Sequence, residues 1–413
     1  MSEYILAQEN GRTIPTEDTI FAVSGRANAM IAKEGKDKVC NATVGMLLDD
    51  QGELLVLSSV DKVFHELTPE EYAPYAPIGG TPGFRKAVIQ AALKNYQPKG
   101  YVRAVASPGG TGSIRLAVGN YTQRGDKILV ADWHWGPYGK IADELGRGTT
   151  TFRLFNKAGE FNTEDFKAAV EDLLKKQDSL LMILNTPAQN PTGYCMTDEE
   201  WKQVVDILSA QPKEKKIALL VDTAYIDFAG DEDKARSFLP FLEELPENVK
   251  PMLAFSLSKT FTLYGMRCGA LIGFSKTEEE ADEFVRVCEF SARASWSNSP
   301  RVGQSIIERI FSDKDLLDKV TAERAEIRDM LLARGRAFEE AAKEADLPIM
   351  PFDGGFFAVI PCDDPKSLGR RMEKEGIFII PFGDGLRVSL AAIPIDQCRM
   401  IPAKVKAVMD AEC

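Results

Sequence analysis

At 413 residues, 44% hydrophobic and 27% charged, the chain can bury a large core and has length for about two globular domains. A formal charge of −12 and an isoelectric point near 5.0 argue against nucleic acid or an anionic membrane as partner, since both are gripped through a basic face. Seven cysteines without CxxC pairs and only two histidines leave neither a disulfide framework nor a metal centre to expect.

Residues 1 to 20 have no basic segment leading into an apolar run, and no stretch of about 18 apolar residues occurs. A cytoplasmic protein is expected. The pattern predicts a helix from Thr19 to Glu34, and then Val39 to Leu48, with Gly45, reads as a strand or a crossing loop. From about residue 103 short apolar runs alternate with helical patterns: Val102 to Ser107, Lys127 to Ala131, Thr149 to Phe155, Leu180 to Asn185, Ile217 to Asp222, Met252 to Ser258 and Gly269 to Phe274. Seven strands with intervening helices predict an α/β domain with a mainly parallel seven-stranded sheet. The last two runs are joined too closely for a crossover helix, so one of them should be antiparallel.

Leu316 to Ala345 is highly charged, yet Val320, Ile327, Met330, Leu331 and Phe338 keep helical spacing. One long helix is expected, with Gly335 as a point of interruption. Phe356 to Ile360, a helix near Ser367 to Glu375, Ile377 to Pro381, Leu386 to Leu390 and a last helix from Ile395 describe a small α+β unit. The expected domains are 46–320 and 321–413, with residues 1–45 joined to the smaller one.

The segment Pro251 to Phe274 holds only two charges, Lys259 and Arg267. A lysine in apolar surroundings loses hydration, its pKa falls, and the free amine can attack a carbonyl. Hydroxyls at Ser256, Ser258 and Thr260 and the planar donors of Arg267 suit a phosphate. An aldehyde and a phosphate on one small molecule describe pyridoxal 5'-phosphate. The alternative is two cations at exposed strand ends with hydroxyls on a turn.

Ligands of an open parallel sheet bind at the carboxyl ends of its strands. There Asp222 could keep a pyridine nitrogen protonated and Tyr225 could bond the phenolic oxygen, or Asp222 simply caps the next helix. Asn190, in a sharp Asn-Pro-Thr-Gly turn, could aim at the same ring. Gly109, Gly110, Thr111 and Gly112 precede a helical run and offer bare amides to a phosphate; glycine is absent where a dinucleotide motif needs it, at Arg115. Trp135 could stack on a ring or lie in the core. Arg387 could grip a carboxylate with both nitrogens, while Arg293, among small polar residues, also fits a surface salt bridge.

In order, the motifs YAPIGGTPGF at Tyr75, GGTG at Gly109, Trp135, NPTG at Asn190, DTAY at Asp222, SLSK ending at Lys259, Arg267, RASWSNSP at Arg293 and GLRVS at Arg387 resemble the class I aminotransferases, fold type I pyridoxal phosphate enzymes, and within them the aspartate and aromatic branch. The resemblance implies that Lys259 carries the cofactor and shuttles the proton, that Asp222 partners the ring nitrogen, and that Asn190 and Tyr225 bond the ring oxygen. It places Gly110, Thr111, Ser256, Ser258 and Arg267 at the phosphate, with Tyr75 arriving from the other subunit of a homodimer, and Trp135 on the ring. Arg387, with Gly45 and Asn190, would bind the substrate α-carboxylate, and Arg293 of the partner a distal carboxylate. Two departures stand out. Gly109 replaces a common serine, and Tyr138 stands where a histidine usually backs the aspartate.

The implied activity is ping-pong transamination between an amino acid and a 2-oxo acid. A β-lyase or decarboxylase on the same cofactor is the nearest alternative. A non-catalytic ligand sensor is more remote, because such regulators usually carry an added DNA-binding domain.

Overall fold

The computed structural model describes residues 6–7 and 18–411; the rest of the predicted N-terminal segment and residues 412–413 lie outside that range. Its strands are β1 Cys40–Asn41, β2 Tyr101–Ser107, β3 Lys127–Ala131, β4 Gly148–Phe152, β5 Ser179–Asn185, β6 Lys216–Asp222, β7 Val249–Ser256, β8 Gly269–Ser275, β9 Phe357–Pro361, β10 Ile377–Phe378, β11 Ile380–Phe382 and β12 Gly385–Ser389. Seven of them form one sheet in the order β2-β8-β7-β6-β5-β3-β4. Only β8 is reversed, running antiparallel to β2 and β7, as the short connection after β7 required.

The central strands are apolar on both faces because helices cover both. In β5, Leu180, Met182 and Leu184 face one hydrophobic cluster with Trp201, Phe166 and Phe238. Leu181 and Ile183 face a second, with Ile114, Tyr138 and Phe284. This is the period-two alternation of a strand applied to a two-sided core. The helices begin where local chemistry satisfies their first amides. Asp18 Oδ1 accepts from the amide of Ile20 at 3.1 Å to start Thr19–Glu34, and Thr197 with Glu200 makes a capping box for Asp198–Ser209.

The C-terminal strands make a three-stranded antiparallel sheet, β11-β12-β9, covered by Pro365–Lys374 and Ile395–Asp410. Between Val39 and Leu48 only Cys40–Asn41 is strand, pairing in parallel with β10, so the rest of that stretch is the loop that carries Gly45.

Several expectations shift, among them the strand from Thr149 to Phe155, which ends at Phe152. The run Met252 to Ser258 ends its strand at Ser256, and Leu257–Thr260 is a short helix. The predicted strand Ile377 to Pro381 divides into β10 and β11, which pair with different partners. The long helix runs Lys314–Glu344 without a break. Gly335 serves there as the bare patch on which the Phe352 ring rests; a Cβ would lie 2.6 Å from that ring.

Candidate active site

Along the carboxyl ends of the parallel strands lies a cavity of about 230 Å³. Ten residues expected to bind the cofactor line it: Gly110, Thr111, Trp135, Asn190, Asp222, Tyr225, Ser256, Ser258, Lys259 and Arg267. Asp222 closes β6, and Ser256 closes β7 and caps the short helix that presents Lys259. The fold therefore converges these groups at one edge of the sheet: most end a parallel strand or lie in the segment that follows one, and Arg267 arrives just before the antiparallel β8.

Lys259 Nζ donates to the Gly45 carbonyl at 2.8 Å. The nitrogen lies 4.6 Å from the ring centroid of Tyr264, 5.6 Å from that of Phe356 and 5.9 Å from that of Tyr225. Burial, then the charges of Arg267 and Arg387, push its pKa down to about 7, so a large fraction is free amine near neutrality.

On the opposite side, Asp222 Oδ2 accepts from the Tyr138 hydroxyl at 2.6 Å and Oδ1 from the Ala224 amide at 3.1 Å. Burial raises its pKa to about 6 although both donors favour the ionised form. Asp222 therefore does not cap a following helix: Ala224 turns back onto it, and the next element is the 3₁₀ turn Ile226–Phe228. The position expected to lack a partner for this carboxylate is filled by the phenol of Tyr138.

The N-terminus of helix Gly109–Tyr121 faces Ser256, Ser258 and Arg267 across one end of the cavity. Arg267 Nη1 donates to Ser258 Oγ at 3.1 Å and to the Tyr264 carbonyl at 2.9 Å. Gly109 has φ +73°, and a Cβ there would sit 3.0 Å from Arg267 Nη2. The glycine thus makes room for the guanidinium where a serine side chain would press on it.

Asn190 Nδ2 donates to the Tyr225 hydroxyl oxygen at 3.4 Å. Arg387 is buried, 3% exposed, donates to the Thr43 carbonyl at 3.0 Å, and touches Asn190 Oδ1 at 3.5 Å. Its guanidinium carbon lies 4.4 Å from the centroid of the Phe357 ring, and burial lowers its pKa to about 10. Its Nε has no hydrogen-bond partner among the described residues. A buried cation so poorly compensated fits an incoming carboxylate.

Two expected residues stand away from this cavity. Tyr75 is 89% exposed, and Arg293 is exposed, with Nη1 donating to Ser297 Oγ at 2.7 Å. Sequence reasoning also missed residues. Tyr264 bounds the lysine and accepts from the Leu47 amide through its hydroxyl oxygen at 3.1 Å; it lies in a loop, where no periodicity marks it. Asn185, the last residue of β5, donates to the Asp222 carbonyl at 2.8 Å and accepts from the Asn190 amide at 2.7 Å. Its place at a strand end was the available signal.

The donor set fits a phosphorylated pyridine aldehyde: amides, hydroxyls and a guanidinium at one end, a buried carboxylate at the other, and a depressed amine between them. Among the described residues no group of His, Cys, Asp and Glu side chains could hold a metal.

The family model for aminotransferases of class I and II matches residues 37–404. The mitochondrial aspartate aminotransferase of Schizosaccharomyces pombe is 30% identical over 312 residues, 74% of this chain and 69% of that protein. The mitochondrial aspartate aminotransferase of Dictyostelium discoideum is 28% identical over 326 residues, 76% and 73% of the two chains. The crystal structure of an aminotransferase from Anaerococcus prevotii superposes with a TM-score of 0.95 at 37% identity, covering 98% of this chain and 99% of that one. The seven-stranded fold, the ordered motifs that meet in one cavity and these similarities place the chain in the class I and II aminotransferase family, in the branch that includes the aspartate aminotransferases.

Proposed function

We propose that this chain moves an amino group between an L-amino acid, aspartate or glutamate and also aromatic ones, and a 2-oxo acid, by a ping-pong mechanism with pyridoxal 5'-phosphate as cofactor. The observation that carries this reading is the meeting of Lys259, Asp222 and a phosphate-type donor set in one cavity. When bound, the cofactor supplies an aldehyde for amines to condense with and an electron-poor ring that takes up the electron pair of a breaking C–H bond.

The side chains divide the remaining work. Lys259 is the amine that would hold the cofactor through its aldehyde, and as a base and acid beside it would move the proton of the substrate α-carbon. Its pKa near 7 suits a group that must both take and return a proton at neutral pH. Asp222 would keep the ring nitrogen protonated. Asn190 and Tyr225 would bond the ring oxygen, Gly110, Thr111, Ser256, Ser258 and Arg267 would hold the phosphate, and Trp135 would cover the ring. Arg387, beside Gly45 and Asn190, takes the substrate α-carboxylate through paired hydrogen bonds.

The reading includes a homodimer in which Tyr75 reaches the phosphate and Arg293 the distal carboxylate of the partner's substrate; the exposure of both side chains supports it. It also includes domains at 46–320 and 321–413 with residues 1–45 joined to the second, supported by the β1–β10 pairing. A cytoplasmic location remains part of the proposal; among the described residues no helix is long and apolar enough to cross a membrane.

The test is the absorbance of the cofactor-loaded protein before and after L-aspartate or L-tyrosine is added without an acceptor. Replacement of the visible band of lysine-bound cofactor by the near-ultraviolet band of its aminated form is the expected result. Failure to develop the visible band after loading overturns the assignment of Lys259. Release of pyruvate and ammonia from an amino acid with a β-leaving group would point to lyase chemistry instead, and release of alanine and carbon dioxide from aspartate to decarboxylase chemistry.

A further inference from the structure

We propose that Tyr138 is a positioning residue for the reaction: its phenol holds the Asp222 carboxylate in place from behind, as a donor that stays neutral across the working pH range. The inference rests on the assignment of Asp222 to the cofactor's ring nitrogen made above. Tyr138 enters from helix Pro137–Glu144 and is 1% exposed. Its 2.6 Å hydrogen bond to Asp222 Oδ2 joins residues 84 apart in the chain.

Its ring is held on two sides. The His134 ring stacks on it at a centroid distance of 6.2 Å, and Trp135, which lines the cavity, meets it edge-on at 5.5 Å. The phenol therefore has little freedom to leave the carboxylate. Because a phenol donates one proton, Oδ2 is committed as an acceptor and the carboxylate's other lone pairs are left for Ala224 and the ring nitrogen.

The chemistry of the donor matters as much as its geometry. A fully buried carboxylate with no donor favours its neutral form, and a neutral acid has no charge with which to keep a pyridine nitrogen protonated. The Tyr138 hydroxyl opposes that tendency. Burial and the adjacent Asp222 raise the phenol's own pKa well above 10, so it neither gains nor loses a proton while the enzyme works. An imidazole in the same place would titrate between about pH 5 and 8 and make the charge behind the ring vary with pH. The other titratable groups facing the pair are Tyr225, raised mainly by burial, and His134. His134 Nδ1 donates to the Ala131 carbonyl at 2.7 Å, and burial lowers its pKa, which favours the neutral ring.

The test compares cofactor-loaded wild type with Tyr138→Phe, Tyr138→His and Asp222→Asn. The rate of the half-reaction with a saturating amino acid donor, its KM, the pH titration of the cofactor absorbance and retention of cofactor on dialysis are measured for each. Tyr138→Phe is expected to slow the half-reaction about tenfold, the value of one hydrogen bond to a charged group, with KM within about twofold. Tyr138→His is expected to recover most of the rate and to add a titration step between about pH 5 and 8 to the absorbance. Asp222→Asn is expected to lose at least as much rate as Tyr138→Phe.

A Tyr138→Phe enzyme with wild-type rate and titration, beside an impaired Asp222→Asn, overturns the role of Tyr138 and leaves that of Asp222 standing. An unimpaired Asp222→Asn overturns both. If Tyr138→Phe does not fold, Tyr138→His decides: a wild-type titration in the folded protein overturns the proposal, and the added step supports it.

Discussion

Lys259 and Gly45, 214 positions apart in the chain, are joined by a 2.8 Å hydrogen bond from the amine to the backbone carbonyl. The bond links the end of the β7 region to the loop that follows β1, so the reactive nitrogen is oriented by backbone rather than by a carboxylate. A carboxylate there would raise the pKa of the amine and hold it charged. A carbonyl and three aromatic rings orient it without a formal counter-charge, which leaves burial and the two arginines to set the downward shift.

The amine should therefore capture its cofactor at unusually low pH. The rate at which cofactor-free protein develops visible absorbance with pyridoxal 5'-phosphate is expected to rise with pH through a midpoint near 7, well below the ordinary lysine value. Replacing Arg387 by Gln removes a nearby cation and is expected to move that midpoint upward. A wild-type midpoint above about 9, near that of an unperturbed lysine, would contradict the environment described. Lys259→Ala is expected to have no transaminase turnover.

The same burial predicts a pH dependence of stability in the cofactor-free protein. Asp222 has a folded pKa near 6, above its unfolded value of 3.8, so the folded state binds more protons between these values and stability falls as pH rises through them. The displacement corresponds to ~3 kcal/mol. Lys259 has the opposite sign: its folded pKa is near 7 against 10.5, so the unfolded state binds more protons and stability rises with pH above 7. Asp222→Asn is expected to stabilise cofactor-free protein by about 2 kcal/mol above pH 6.5 and to have little effect at pH 4. Chemical denaturation at both pH values checks this; a stabilisation independent of pH would refute it.

Arg293 supplies a specificity test. Its guanidinium is exposed and held by Ser297, outside the cavity of its own chain, so any effect on substrate choice must come through a partner subunit. Arg293→Asp is expected to lower kcat/KM for aspartate and glutamate about a hundredfold and to leave an aromatic substrate within a few-fold. Equal losses for the two classes would show that Arg293 does not read the side chain.

Gly193 ends the turn that carries Asn190 and has φ +83°. A Cβ there would lie 2.7 Å from the Gly354 carbonyl oxygen and closer still to the Phe352 ring. Gly193→Ala is expected to cost about 2–4 kcal/mol through backbone strain and crowding. Pairing it with Phe352→Leu should recover part of the loss, because the carbonyl remains. Thermal melts of the single and double variants measure the coupling.

A buried ion pair just beyond Tyr225 gives a further prediction. Asp227 and Arg236 meet at 2.7 Å with side chains 0% and 3% exposed. Burial works against the charge of Asp227, but Arg324, Arg236 and Lys94 outweigh it and hold the carboxyl well below its usual range. Asp227→Asn is expected to destabilise the protein by about 3–5 kcal/mol, because three cations lose their central counter-charge. A melting temperature equal to wild type would argue against that environment.

The sheet was legible because buried strands are apolar and short, and the candidate site was legible because its residues end those strands. Asp222 and Ser256 stand out as polar punctuation after apolar runs. What stayed hidden depends on tertiary contact. Tyr138 looked like the loss of a histidine, since its hydroxyl meets Asp222 only after β3 and β6 are set in one sheet. Tyr264 lies in a loop and gains meaning from the position of Lys259. Arg324 and Arg334, buried on a helix that reads as charged, became burial-compatible through Glu232 and Asp50 and through backbone carbonyls. Gly335 resembled a helix break because the ring that rests on it comes from residue 352.

Phe352 touches what would be the side-chain space of both Gly193 and Gly335, so one ring joins the long helix to the turn that aims Asn190. The three positions form a lock in which 335 and 352 change only in concert. Among lineages that diverged from a common ancestor, a larger residue at 335 should be accompanied by a smaller one at 352, whereas 193 should stay glycine because the Gly354 carbonyl and its positive φ bar a side chain whatever stands at 352. Drift at this distance from the chemistry is thereby tied to selection on catalysis.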